Sequence, residues 1–253
     1  MVLEQFKLNG KVAIVTGCNT GLGQAIALGL AEAGADIAGV ARKDTAETQK
    51  GVQKIGKKFA HIRIDLLEAQ APEKITQATL EAFGRVDILV NNAGIIRRND
   101  ALEYTEEDWD AVMNTNLKAL FFLSQTVARQ FLKQGTGGKI INIASMLSFQ
   151  GGIRVAAYTA SKSGVLGITR LLANEWAKLG INVNAIAPGY METNNTLALR
   201  QDEKRNAEIL ARIPAGRWGK PEDLVGAAVF LASSASDYVH GYAIAVDGGW
   251  LAR

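Results

Sequence analysis

Short apolar, β-branched runs alternate with helical patterns from one end of this 253-residue chain to the other. That alternation restricts the fold before any single residue is considered. Val12–Thr16 reads as a buried parallel strand. Further strands are expected at Asp36–Ala41, Phe59–Asp65, Val86–Val90, Lys139–Ile143, Ile181–Ala187 and Tyr242–Val246. Between them lie helical patterns at Gly21–Ala33, Pro72–Phe83, Glu106–Gln134, Tyr158–Leu179 and Pro221–Ala232. Gly34 sits where a helix C-cap prefers glycine, Thr105–Asp108 reads as an N-capping arrangement, and Pro221 suits a first helical turn. Strands separated by helices imply right-handed crossovers, hence a doubly wound α/β fold with a parallel sheet covered on both faces. Asn182 and Asn184 are polar for a central strand and are in tension with the sixth assignment. In this architecture ligands bind beyond the carboxyl ends of the strands, so residues just after strands carry the chemistry.

No proline-rich linker, repeat or low-complexity segment divides the chain, and 48% hydrophobic residues suffice for a sizeable core. The expectation is one domain, 1–253. With 28 basic and 25 acidic residues the formal charge is only +3, which gives no electrostatic reason to expect nucleic acid. Met1–Gly10 mixes Glu4, Gln5, Lys7 and Asn9 with apolar residues, unlike a signal peptide or membrane span. The single cysteine, Cys18, excludes an internal disulfide and fits a reducing compartment. A cytoplasmic protein with no membrane partner is expected. Nothing suggests a lowered pKa for Cys18, so it reads as a small residue that fits its turn.

After the first strand comes Thr16-Gly17-Cys18-Asn19-Thr20-Gly21-Leu22-Gly23. Glycines there let backbone N–H groups approach a pyrophosphate at a helix N-terminus. The spacing departs by one residue from the usual dinucleotide fingerprint, and many strand-to-helix turns need glycine for geometry alone. Asn91-Asn92-Ala93-Gly94, taken alone, is a turn ending a strand. Tyr158 and Lys162 stand four apart at a helix start, hence on one face, and Ser145 follows a strand. A nearby ammonium can lower a phenol from its usual pKa near ~10 toward the range useful for acid–base work. Ser145 can hydrogen-bond a substrate oxygen. Each of these has a bland alternative, a surface pair or a cap. His61 and His240 show no ligand spacing, and no metal site is expected.

Together, in this order and over essentially the whole chain, these motifs resemble the classical short-chain dehydrogenases/reductases. The resemblance implies a Rossmann-type sheet and an NAD(H)- or NADP(H)-dependent oxidoreductase acting on a carbonyl or secondary alcohol. It implies cofactor contacts from Gly17, Asn19, Gly21, Leu22 and Gly23. Asp65 and Leu66 would line the adenine, and Asn92, Ala93 and Gly94 the ribose side. Pro188, Gly189 and Thr193 would reach the nicotinamide, with Tyr158 and Lys162 also on the cofactor. Ser145, Tyr158 and Lys162 would be catalytic, joined by Asn116 through a helix distortion and a water relay.

Gly94–Asp100, Ser145–Arg154, Ala187–Asn195 and Val246–Arg253 look like the branch of the family acting on small keto sugar acids of the 2-dehydro-3-deoxygluconate or 2-deoxygluconate type, in uronate breakdown. That implies a carboxylate-bearing small-molecule substrate and a homotetramer. Arg97, Arg98 and Arg154 fall near strand ends, where a guanidinium can clamp a carboxylate, and Arg154 lies on the otherwise uncharged loop before Tyr158. NAD users in the family carry an acid at the end of the second strand. Here Ala41 stands there and Arg42 follows, which suits a 2′-phosphate, whereas this branch uses mostly NAD. A 3-oxoacyl thioester reductase and a non-catalytic nucleotide sensor are the rival readings, and an intact Ser145, Tyr158, Lys162 and Asn116 argues against the sensor. Glu106–Gln134 is apolar on more than one side and the Gly249–Ala252 tail is apolar, as burial between subunits would require.

Overall fold

The computed structural model describes Met1–Arg253. Its strands are β1 (Val12–Thr16), β2 (Asp36–Val40), β3 (Phe59–Ile62), β4 (Ile88–Asn91), β5 (Gly138–Ile143), β6 (Ile181–Pro188) and β7 (Ala243–Val246). They form one seven-stranded sheet in the order β3-β2-β1-β4-β5-β6-β7. Every pairing is parallel. The chain winds outward from β1 to β3, crosses back, and winds the other way from β4 to β7. The crevice between β1 and β4 is therefore the point where strand order reverses.

The helices are α1 (Gly21–Glu32), α2 (Ala46–Lys54), α3 (Ala71–Phe83), α4 (Glu106–Met113), α5 (Ala119–Gln134), α6 (Ala156–Trp176), α7 (Leu197–Gln201), α8 (Glu203–Arg212) and α9 (Val225–Ala232). Alternate strand residues feed two cores, as the period of two demands. Ala13 and Val15 of β1 pack with Ile26 and Leu30 of α1, Val52 of α2, and Ala228 and Leu231 of α9. Ile14 packs on the opposite face with Ile75 of α3, Val127 and Phe131 of α5, and Leu172 of α6.

The stretch expected as one helix, Glu106–Gln134, starts at the Thr105 cap, whose hydroxyl accepts from Asp108 N at 3.2 Å. It is interrupted by a π-helical turn over Asn114–Lys118. Asn182 and Asn184 belong in β6 after all. Asn182 Nδ2 donates to the carbonyls of Asp237 and Val239 at 2.9 and 3.0 Å. Asn184 accepts from Tyr242 N and donates to Val239 O. Both amides satisfy the backbone of the loop entering β7, so polar residues in a central strand leave no buried group unpaired. No helix is long and apolar enough to cross a membrane.

Candidate active site

Two turns meet at the strand-order reversal. The β1–α1 turn begins at Gly17, with φ of +66°, and Gly21 also has positive φ, +58°. A Cβ on Gly23 would overlap the Gly17 carbonyl, so close helix–turn packing requires glycine there. The turn after β4 is stitched to it. Thr16 Oγ1 accepts from Asn92 N and Ala93 N, both at 3.0 Å, and Asn92 Nδ2 donates to Thr16 O at 2.8 Å. Across the crevice, the Thr193 methyl comes within 3.6 Å of where a Gly21 Cβ would stand.

A cleft of about 470 Å³ runs along this edge. Gly17, Asn19, Gly21, Leu22 and Gly23 line it, as do Arg42, Asp65, Leu66, Asn92, Ala93, Gly94, Pro188, Gly189 and Thr193. All the residues expected to touch a dinucleotide thus share one cavity, with Ser145, Tyr158 and Lys162 also on its wall. The cradle fits a dinucleotide because the positive-φ glycines leave the backbone of the turn open to close approach by a pyrophosphate. Arg42, at the mouth, pairs with Asp65 at 3.1 Å and stays largely exposed. Ile64, Thr115, Met191 and Asn194–Thr196 line the cavity too and went unforeseen. Their positions depend on loop paths that periodicity does not encode.

Tyr158 and Lys162 lie one turn apart on α6, with Lys162 Nζ 5.7 Å from the Tyr158 ring centre. The Lys162 ammonium donates to the Ile143 carbonyl at the end of β5. Burial lowers its pKa from the usual lysine value to about 8. Burial likewise raises Tyr158, and the nearby Ser145 hydroxyl and the charge of Arg98 pull it part of the way back. Ser145 is held by Leu147 N, which donates to its hydroxyl at 3.1 Å. Asn116 sits within the π turn, fully buried. Its amide accepts from Ile95 N at 2.8 Å and donates to Ile95 O at 2.9 Å and Ser161 Oγ at 3.2 Å. It does not line the cleft. It ties the chain after Gly94 to the helix that carries Tyr158.

Arg154 departs from expectation. Its backbone takes a left-handed φ of +61°, and its exposed guanidinium pairs with Asp100 at 3.3 Å, away from the cleft wall. Arg97 pairs with Asp108. Arg98, whose guanidinium donates to Asn195 O at 3.1 Å, is the arginine whose charge reaches Tyr158. The C-terminal tail also differs: Trp250 is buried against Tyr190 of its own chain, not left for a neighbour.

A family described as enoyl-(acyl carrier protein) reductase matches residues 17–251. The chain belongs to the short-chain dehydrogenase/reductase family. It is 66% identical, over all of both chains, to the 2-dehydro-3-deoxy-D-gluconate 5-dehydrogenase of Dickeya dadantii. A solved structure from Agrobacterium tumefaciens, a candidate 2-deoxy-D-gluconate 3-dehydrogenase with bound NADP, is 59% identical at a TM-score of 0.92, covering 98% of this chain and 99% of that one. The gluconate 5-dehydrogenase of Burkholderia cenocepacia, in complex with NADP and tartrate, superposes at a TM-score of 0.95 with 39% identity over the full length of both. This short-chain dehydrogenase is therefore an oxidoreductase with a Rossmann-type sheet.

Proposed function

We propose that this short-chain dehydrogenase interconverts a keto group and a secondary alcohol on a small sugar acid of the 2-dehydro-3-deoxy-D-gluconate or 2-deoxy-D-gluconate type, using NADP(H) or NAD(H). The carrying observation is a single cleft with the glycine turn at one end and Ser145, Tyr158 and Lys162 together at the other.

Gly17–Gly23, Asp65–Leu66 and Asn92–Gly94 would hold a dinucleotide, which would supply or accept the hydride. The chain's own residues handle the proton and the oxygen. In the reducing direction the Tyr158 hydroxyl donates its proton to the carbonyl oxygen as negative charge develops there. Ser145 donates a second hydrogen bond to the same oxygen, and the Lys162 ammonium stabilises the phenolate left behind. Asn116 holds α6 against the Gly94 turn and so keeps Tyr158 in register.

The relatives' substrates favour a carboxylate-bearing sugar, and Arg98 beside Tyr158 supports it. Arg42 without an acid at Ala41 supports NADP(H), as do the NADP complexes of the related structures. A 3-oxoacyl thioester reductase needs an apolar berth for an acyl arm, which a guanidinium at the site disfavours. We read the chain as one cytoplasmic dehydrogenase domain, 1–253, assembling as a homotetramer. The deciding experiment is a steady-state screen of keto sugar acids and an acetoacetyl thioester, each with NADPH and NADH. Sugar acids should show the highest kcat/KM, and a preference for the thioester would overturn this substrate.

A further inference from the structure

The turn after β6 and helix α8 meet beside the catalytic serine. Met146, directly after Ser145, is buried in one apolar cluster with Ile209, Trp218 and Trp250. Tyr190 packs edge-on against both tryptophans, its ring centre 5.3 Å from Trp218 and 4.8 Å from Trp250. Arg212 of α8 lies over the face of Trp250, 4.0 Å from the ring centre. Its guanidinium has a neutral partner, the Gln150 side-chain oxygen at 3.3 Å. A guanidinium stacked on indole loses much of its freedom before any ligand arrives.

Three arginines stand close enough for their charge to act on the Tyr190 phenol, while Asp223 and Asp247 line a separate cavity that Tyr190 also borders. Burial raises its phenol, and Arg205, Arg212 and Arg98 pull it back down. Of these, Arg205 is paired with Glu208 at 2.9 Å, and Arg98 donates to a backbone carbonyl. The Trp250 indole N–H is buried without an acceptor. Neither Arg212 nor Tyr190 lines the cleft itself, but Arg98 acts on both Tyr190 and Tyr158, and Gln150 ties Arg212 to the loop that follows Ser145. A carboxylate suits Arg212, whose only side-chain partner is a neutral amide, since charge-assisted, bidentate bonds to arginine are the strong ones.

We propose that Arg212 is a specificity-determining residue that, with the Tyr190 hydroxyl, binds the carboxylate end of the sugar acid, and that Trp250 positions its guanidinium for this. The inference rests on the sugar-acid reading. Arg98 supplies the second positive charge, and the C-terminal tail becomes part of the substrate's recognition through Trp250.

The test measures oxidation of 2-deoxy-D-gluconate and of its neutral amide with NADP in the wild type, Arg212→Ala, Arg212→Gln and Trp250→Leu. The wild type should prefer the acid. Arg212→Ala should cut that preference at least ten-fold, chiefly through a higher KM for the acid, and Trp250→Leu should move it the same way. Arg212→Gln, which keeps a stem over Trp250, guards against a simple folding defect and should also lose the preference. Equal losses on acid and amide, or a preference untouched in both arginine variants, would overturn the assignment. A wild type that oxidises acid and amide alike overturns it as well while sparing the reaction class. A wild type that oxidises neither removes the sugar-acid reading itself.

Discussion

At the scale of single residues, Tyr158 and Lys162 are linked by opposing effects of the same burial. Desolvation disfavours whichever form is charged, so it raises the phenol and lowers the ammonium. In the ligand-free protein Tyr158 therefore stays protonated and ready to donate, while Lys162 titrates near pH 8. Reduction needs the phenol protonated and the lysine charged, so kcat/KM for ketone reduction should fall as pH rises through about 8. A flat profile to pH 10 would show that the ammonium is not required. Stability carries its own sign. The folded-state pKa is depressed, so below about 8 both states hold the proton and the burial penalty is fully present. It is relieved as pH rises toward the ordinary lysine value, and stability rises across that window. The proton donor has a direct test. Tyr158→Phe should leave dinucleotide binding in place and remove nearly all turnover, and a variant keeping more than about a tenth of wild-type kcat, a loss under ~1.4 kcal/mol, would release Tyr158 from the role.

Elements rather than residues hold the site together, and a buried polar chain does much of that. Asn91 at the end of β4 donates to Ser124 of α5 and to Asn142 of β5, both at 2.9 Å. Asn142 in turn donates to Thr169 of α6 at 3.0 Å. The four groups join the strands that carry the Asn92 and Ser145 turns to the helix that carries Tyr158. Asn142→Ala should strip partners from Asn91 and Thr169 at once and destabilise by roughly 1–3 kcal/mol. Chemical denaturation measures this, and a change under about 0.5 kcal/mol would mean the chain is replaceable. These elements also show what the sequence made legible. The central strands β1, β2 and β4 announced themselves because strands buried on both faces are continuous apolar runs, and Ser145 and the glycine and Asn92 turns because they follow strand ends. Helices α2, α7 and α8 were not foreseen: α7 is a single turn of five residues, and α2 and α8 are short and mostly polar, with Ile209 the single buried residue of α8. A cue existed, since Asp202 caps α8 by accepting from Arg205 N at 3.0 Å. Arg154 was placed by its loop position alone, whereas its left-handed backbone and its pairing with Asp100 are not readable from the sequence. The asparagines of β6 looked wrong for a strand because their partners lie more than fifty residues away.

For the whole molecule, the homotetramer proposed above requires an apolar surface for a second copy to cover. Two features suggested assembly from the sequence, and the fold separates them. The tail is accounted for within the chain: Asp247 accepts from Gly249 N and Leu251 N at 2.9 Å, and Arg253 donates to Ala211 O. Helix α5 is not. Leu123, Val127 and Phe131 face the core, while Phe122 remains 45% exposed and Leu132 48%. Leu171 of the neighbouring α6 is 48% exposed as well. Large apolar side chains left in water on adjacent helices are what a two-fold interface removes, at about 25 cal/mol per Å² of apolar surface buried. A symmetric contact doubles every residue's effect, so one charge placed there is felt twice. Phe122→Glu should therefore lower the mass measured by light scattering at micromolar concentration from a tetramer toward a dimer or monomer. Its thermal stability should fall and lose the dependence on protein concentration that an oligomer shows. A wild-type chain that scatters as a monomer would contradict the assembly. A Phe122→Glu variant that stays tetrameric would move the interface off α5, because two buried, unpaired carboxylates facing each other across a two-fold axis cannot be accommodated without loss of affinity.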